Sequence, residues 1–309
     1  MKTASPVLNP PCTAYAEALP LLRSRAADYL ELTKPRIAVM VLFTVAVGAI
    51  LAAGGMIWWW PLVHVLVGTA LVAAGGSTLN QVIERHTDSL MRRTENRPLP
   101  AGRIRPIEAA TMGLLLGVAG IVYLAATLPQ PLAALLGGLT FVCYVFVYTP
   151  LKRRTTLNTL IGAIPGALPP VIGWAAIRGS IDREAVVLFS IIFLWQVPHF
   201  LAIAWIYRED YHRAGLRMLP DQPGGAAVAG RQMVVYSAAL LATSLVPVGL
   251  HSAGLVYLVG ASALGLMFLV YAFGFVWMPS IARARRVLRA SLVYLPALLA
   301  LLLVNAVLR

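Results

Sequence analysis

Nine long apolar segments govern what this chain can fold into. They run Ile37 to Ala53, Leu62 to Ile83, Ile107 to Thr127, Pro131 to Thr149, Leu157 to Ile177, Ala185 to Ile206, Met233 to Leu250, Leu255 to Val276 and Leu288 to Leu308. Each is near the roughly 17–25 residues that an α-helix needs to cross a bilayer core. Only 12% of the residues are charged, about half the share of an ordinary soluble domain. The expected fold is all-α and polytopic, with about nine transmembrane helices. Gly and Pro inside several segments are tolerated by bilayer helices, so the span ends are the least defined part of this reading.

The formal net charge of +13 invites a nucleic-acid reading, which the distribution of charge excludes. All Lys and Arg except Arg178, Arg183 and Arg309 lie before the first span, in the connections after spans two, four, six and eight, or, for Arg289, at the start of span nine. That bias is the positive-inside signal, and it puts the N-terminus in the cytoplasm and the C-terminus outside. The first thirty residues lack the apolar core of a secretory signal and read as a cytoplasmic tail, helical in part near Ala26 to Leu32. The expected division is a tail over 1–34 and one membrane domain over 35–309. Trp58, Trp59 and Trp60 mark an interfacial belt. Cys12 and Cys143 have neither disulfide nor metal-motif spacing, and Cys143 reads as a small buried apolar residue.

The two long loops, about 84–106 and 207–231, fall on the basic side, and so do all the acids but Asp182 and Glu184. Asn80, Glu84 and Asp88 follow an i, i+4, i+8 spacing. On a helix continuing from span two, successive members differ by about 40° in azimuth and about 6 Å in height, which makes one polar stripe. Oxygen donors so arranged suit Mg²⁺, which takes one or two carboxylates and completes its shell with water and substrate phosphate. Arg93 and Arg97 follow and can grip phosphate oxygens. The plainer reading is a polar helix end whose acids pair with Arg85 and Arg92. A second acidic site, Glu209 and Asp210 at the end of span six, favours the metal reading. Acids and basic residues at the mouth of an apolar bundle fit a substrate with an anionic head and a lipid-like tail.

The stretches "LTKPRI" (32–37), "NQVIERHTDSLMRRTENRPL" (80–99), "YTPLKRRTTLNTLIGAIPGALPPVIGW" (148–174), "WQVPHF" (195–200) and "EDYHRAGLRMLP" (209–220) resemble the intramembrane aromatic prenyltransferases of the UbiA superfamily, and within it the branch that farnesylates protoheme IX. The resemblance implies helices around a central cavity open to the cytoplasmic side of a bacterial inner membrane. It implies transfer of farnesyl from farnesyl diphosphate, with addition of water, to a vinyl group of protoheme IX (heme B), giving heme O and pyrophosphate. Mg²⁺ is the implied cofactor, and heme B is a substrate. Heme A synthase or a terminal oxidase is the implied recipient of the product.

Carried over residue by residue, the resemblance places Asn80, Glu84 and Asp88 in the first metal-diphosphate motif and Asp210 in the second. The metal ligands are then Glu84, Asp88 and Asp210. Arg93, Arg97, Lys152 and Arg153 match basic diphosphate positions. Tyr148 is placed to face an allylic cation. Asn158 reads equally as a diphosphate contact or a helix cap. His199 in "WQVPHF" is expected to contact heme, through iron or a propionate, with Pro198 tilting its ring. His64 and His251 read as structural, and His86 and His212 as solvated loop residues. Position 214 is Ala where quinone-type relatives carry a second acid, which favours the heme branch. Arg217 stands where that branch often has Pro. A prenyltransferase acting on a quinone or phenolic precursor is the alternative, since it shares the first motif. A transporter would instead place charge near the bilayer midplane, where these spans carry no acids.

Overall fold

The computed structural model describes residues 25–308. Cys12, Arg23, Arg309 and most of the expected tail lie outside the described residues. Among the described residues, nine helices are long and apolar enough to cross a bilayer. They are α1 Pro35–Ala52, α2 Trp59–Asp88, α3 Pro106–Thr127, α4 Leu132–Leu151, α5 Asn158–Arg178, α6 Arg183–Ile206, α7 Gly225–Gly249, α8 Leu255–Trp277 and α9 Ile281–Val307. The chain is a multi-pass membrane protein.

Helix α2 has 30 residues and outlasts its apolar segment at both ends. At about 1.5 Å per residue it is longer than a ~30 Å hydrocarbon core, so its last turns stand at the membrane surface. Asn80, Glu84 and Asp88 ride on those turns. Helix α4 is α-helical over Leu132–Val142 and π-helical over Cys143–Tyr148. The Thr149 hydroxyl donates to the Tyr144 carbonyl, five residues back, at 2.8 Å. Helix α5 is two pieces, Asn158–Ala167 and Pro169–Arg178, parted at Leu168 because Pro169 and Pro170 supply no amide protons.

Small residues bring the backbones together. A Cβ on Gly48 of α1 or Gly173 of α5 would run into the carbonyl oxygen of Pro170 or Val45 respectively, so α1 and α5 touch backbone to backbone. Gly75 of α2 meets Gly113 and Gly117 of α3 in the same way. This is the small-residue packing expected where lipid removes the hydrophobic drive for helices to associate. Contacts run from α1 to α2, α4, α5, α6 and α9 and back to α1, a closed ring, with α3, α7 and α8 outside it.

The basic end is closed by loops with cores of their own. Residues 25–32 are helical, as expected near Ala26 to Leu32, and Leu32 is buried with Leu99, Ile104 and Ala109. Arg103 holds Asp28 at 2.9 Å, and the Tyr29 hydroxyl donates to Glu108 at 3.1 Å. A second cluster, Met91, Ala204, Tyr211, Ala214, Leu216 and Met218, joins the loop after α2 to the loop after α6. Ala214 is therefore a core residue of that junction. His64 accepts or donates to the Tyr123 hydroxyl at 2.7 Å, the structural role expected of it. Trp58, Trp59 and Trp60 are at least half exposed, as an interfacial belt requires. Cys143 is a free thiol, half-buried in the π-helical stretch.

Candidate active site

The polar stripe of α2 forms, and its partners come from three other segments. Asn80 is buried, and its amide orientation follows from counting protons. The single proton of the Thr149 hydroxyl goes to Tyr144, so Thr149 must accept from Asn80 Nδ2, at 3.1 Å. Asn80 Oδ1 then faces Lys34, whose Nζ donates to it at 2.8 Å. Glu84 Oε1 lies 2.7 Å from Lys152 Nζ, a close ion pair. Asp88, 1% exposed, accepts from Arg97 at 2.7 Å, and its own carbonyl accepts from the Thr94 hydroxyl. The acids thus pair with Lys152 and Arg97. The plainer expectation, pairing with Arg85 and Arg92, is not what the fold produces: Arg85 turns back to the Val82 carbonyl, and Arg92 is exposed.

Lys34 is the site residue the sequence reading missed. It lies 46 positions before Asn80 and adopts φ 51°, a left-handed conformation uncommon outside glycine. That turn lets α1 begin at Pro35 while the lysine side chain reaches across to α2. Its one sequence signal is a lone cation directly before a proline-started span. Burial, helped by Arg97, brings the Lys34 ammonium down to about 7. Unfolded lysine keeps its proton to about pH 10.5, so between those values the unfolded chain binds the extra proton and stability rises with pH. The melting temperature of the metal-free protein is expected to climb by a few degrees from pH 7 to 9. Lys34→Met should flatten the rise, and an unchanged slope would place the titrating group elsewhere.

Lys152 shows the opposite balance. Burial alone would lower its ammonium, but Glu84, with Tyr148 and Tyr144 beside it, holds it well above the usual lysine value. Its Nζ also sits 4.6 Å from the Tyr148 ring centroid. Tyr148 stacks on Tyr144 and packs against Gly162 of α5, where a Cβ would collide with the ring. Arg93 is held by the loop after α6: it lies 4.7 Å from the Tyr207 ring and 5.6 Å from the Tyr211 ring, and it donates to the Tyr211 hydroxyl at 3.2 Å. Arg153 is exposed and stays outside this cluster.

Two expectations change here. Asn158 is not a helix cap. Its amide donates to the Thr155 carbonyl at 2.8 Å and the Arg217 carbonyl at 2.9 Å, while the Arg217 amide donates to the Lys152 carbonyl. Asn158 therefore pins the loop after α6 beside Lys152, which gives Arg217 a structural place through its backbone. Asp210 turns to Arg213 on its own short helix, Arg208–Arg213. Among the described residues no three His, Cys, Asp or Glu side chains gather into one metal-binding cluster, so Asp210 does not complete a single three-acid set with Glu84 and Asp88. Each acid instead has a cation of its own, Lys152 for Glu84, Arg97 for Asp88 and Arg213 for Asp210.

His199 lies on α6 and stacks on Trp195, with ring centroids 4.8 Å apart. Its Nδ1 is 2.8 Å from the Ser291 hydroxyl of α9. Ser291 donates its only proton to the Leu288 carbonyl at 2.6 Å, so His199 Nδ1 must be the donor. The unprotonated nitrogen is then Nε2, which meets no hydrogen-bond partner among the described residues. Trp195 donates to the Ser291 carbonyl at 2.8 Å and locks the same contact.

Buried oxygen donors lined by cations at one end of a membrane helix bundle suit a substrate with an anionic head and an apolar tail. The chain matches the UbiA prenyltransferase family over residues 41–303 and belongs to that family. It is 45% identical over 289 residues to the protoheme IX farnesyltransferase of Solibacter usitatus (strain Ellin6076), covering 90% of this chain and 98% of that one. It is 42% identical over 295 residues to the protein of that name from Myxococcus xanthus (strain DK1622), covering 95% and 98%. Among solved structures it is similar to one of digeranylgeranylglyceryl phosphate synthase (TM-score 0.77, 18% identity, 93% of this chain and 100% of that one). A UbiA homolog from Archaeoglobus fulgidus bound to GPP and Mg²⁺ also matches (TM-score 0.57, 17% identity, 89% and 99%). At these identities the structures establish a shared fold.

Proposed function

We propose that this chain transfers the farnesyl group of farnesyl diphosphate, with addition of water, to a vinyl group of protoheme IX, forming heme O and pyrophosphate. The observation that carries the reading is the sequence identity to protoheme IX farnesyltransferases along nine-tenths of the chain. The site supports it. The C1–O bond of the farnesyl diphosphate breaks and the electron pair leaves with pyrophosphate. The vinyl π electrons form the new C–C bond to the allylic carbon. Water then adds to the benzylic-type cation left on the vinyl group and loses a proton.

Asn80, Glu84 and Asp88 would hold Mg²⁺, and Asp210 would serve a second position once freed from Arg213. Buried amide and carboxylate oxygens are the hard donors this ion takes. When bound, Mg²⁺ neutralises charge that builds on the leaving diphosphate. Lys34, Lys152, Arg93 and Arg97 lie at the same end, where they bind and orient the phosphate oxygens and stabilise the leaving group. Arg153, exposed beside Lys152, serves as an outer contact. Tyr148 presents a half-buried ring at the wall, next to the lysine, where an allylic cation separates from its diphosphate. The apolar interior of the ring holds the isoprenoid and keeps water from the cation early.

His199 supplies the heme contact. The tautomer fixed through Ser291 leaves Nε2 with a lone pair, the form in which imidazole binds iron. Ser291→Ala removes the acceptor that sets the tautomer. It is expected to weaken heme binding by about 10- to 100-fold, the usual effect of losing such an outer partner, with Ser291→Thr recovering most of it. A heme titration followed by absorbance measures this, and equal affinity in the Ala variant would remove Ser291 from the heme site.

The reading places the chain in the inner membrane of a bacterium, and the arginine bias supports an orientation with the N-terminus and the site on the cytoplasmic side. The product passes to heme A synthase or to a terminal oxidase. The domain is the whole of 35–309, with 1–34 as a cytoplasmic extension whose last turns dock on it. The deciding experiment is product mass. Purified protein in detergent, given protoheme IX, farnesyl diphosphate and Mg²⁺, should yield a farnesyl-plus-water adduct of heme that a chelator abolishes. Unmodified heme from a folded preparation that prenylates a phenolic precursor would overturn the assignment.

A further inference from the structure

A groove away from the α2 stripe opens where α8 hands over to α9. Ser280 caps α9, its hydroxyl accepting from the Arg283 amide. Four arginines follow within seven residues, Arg283, Arg285, Arg286 and Arg289, and the first turn of α9 contains no acid. The Arg283 side chain reaches back to the Gly274 carbonyl of α8. Arg285, Arg286 and Arg289 are exposed and make no ion pair among the described residues. A cavity of about 630 Å³ opens here, lined by Val270, Phe273, Val276 and Trp277 of α8 and by Arg283 and Arg286.

Positive-inside bias explains why arginines are on this side, but it does not require any of them to line a cavity. The lining has a definite polarity. Val270, Phe273 and Val276 follow one another at three-residue spacing along α8 and make an apolar trough running into the membrane. Trp277, 85% exposed, stands at the mouth, the level that tryptophan favours at a membrane interface. Arg283 and Arg286, three apart and so on one face of α9, close the polar end. Gly274 also lines the cavity, and a Cβ there would meet nothing within 4 Å, so the trough is open space beside the backbone.

We propose that this groove holds an anionic phospholipid, with its phosphate between Arg283 and Arg286 and one acyl chain along Val270, Phe273 and Val276. Basic pockets between membrane helices recognise such headgroups through charge-assisted hydrogen bonds. The groove shares no residue with the α2 site, so lipid retention there does not depend on the proposed reaction.

The test is native mass spectrometry of the full chain in a neutral detergent, titrated with dioleoylphosphatidylglycerol or dioleoylphosphatidylcholine. The wild type should prefer the glycerol lipid by roughly tenfold or more, two arginine contacts being worth about that. Arg283→Gln with Arg286→Gln should abolish the preference. Arg285→Gln with Arg289→Gln, the same change in charge outside the cavity, should keep it. Gly274→Leu, which fills the trough without altering charge, should also release the lipid. Equal loss in both arginine doubles would overturn the site in favour of diffuse surface charge. Equal binding of the two lipids by the wild type, or full retention in Gly274→Leu, would overturn it as well.

Discussion

Asp88→Asn is expected to lower the rate of prenyl transfer by about a hundred- to a thousandfold while leaving the bundle folded. The substitution keeps the shape of the side chain and removes one negative charge from a position that is 1% exposed. Arg97 loses its carboxylate, but its side chain is 26% exposed and can turn to water, so the stability cost stays near that of an exposed pair, within about 1 kcal/mol. At the proposed site the chemistry suffers more, because the variant would lack an anionic oxygen for Mg²⁺ and would gain net positive charge beside the diphosphate. The signature is a fall in kcat and a raised Mg²⁺ requirement, with KM for the prenyl diphosphate unchanged or lower. Near-normal turnover at ordinary Mg²⁺ would remove Asp88 from the site.

For Lys152 the larger expected effect is on folding. Glu84 and Lys152 are 13% and 16% exposed at the side chain, and Lys152→Met leaves a mostly buried carboxylate with only Lys34 and Asn80 to offset it. Breaking one partner of such a pair costs about 3 kcal/mol, the low end for buried pairs given the residual exposure. The double variant Glu84→Gln, Lys152→Met removes both charges and should recover most of that stability, since two neutral groups carry no unpaired charge. It should recover no activity, because the proposed site would lose a diphosphate cation and a metal ligand together. Thermal unfolding in detergent beside product analysis separates the two. A double variant as unstable as Lys152→Met alone would show that the pair is not what stabilises this corner.

The nine spans were legible in the sequence because the bilayer demands length and apolarity, and both are visible residue by residue. The α2 stripe was legible because helical spacing is local. What escaped needed contacts between distant segments. Lys34 enters the site only because a left-handed turn redirects its side chain, and hydropathy carries no sign of that. Asn158 was legible as polar and near the site, but its two carbonyl partners depend on how the loop after α6 folds back. Ala214 looked like a missing acid, yet its burial with Met91 and Tyr211 makes it part of the joint between two loops. The continuation of α2 to Asp88 was legible from the spacing of the stripe and not from hydropathy, which registers where lipid ends, whereas a helix continues as long as its backbone bonds do.

The π-helical stretch Cys143–Tyr148 acts as a phase shift in α4. A turn that holds one extra residue rotates everything after it by about 100° relative to an uninterrupted α-helix. Thr149 meets Asn80 and Lys152 meets Glu84 only with that rotation in place. Span four is therefore gauged in angle as well as length: straightening Cys143–Tyr148 into an α-helix with no residue removed would aim the lysine away from its carboxylate although the segment still crossed the membrane.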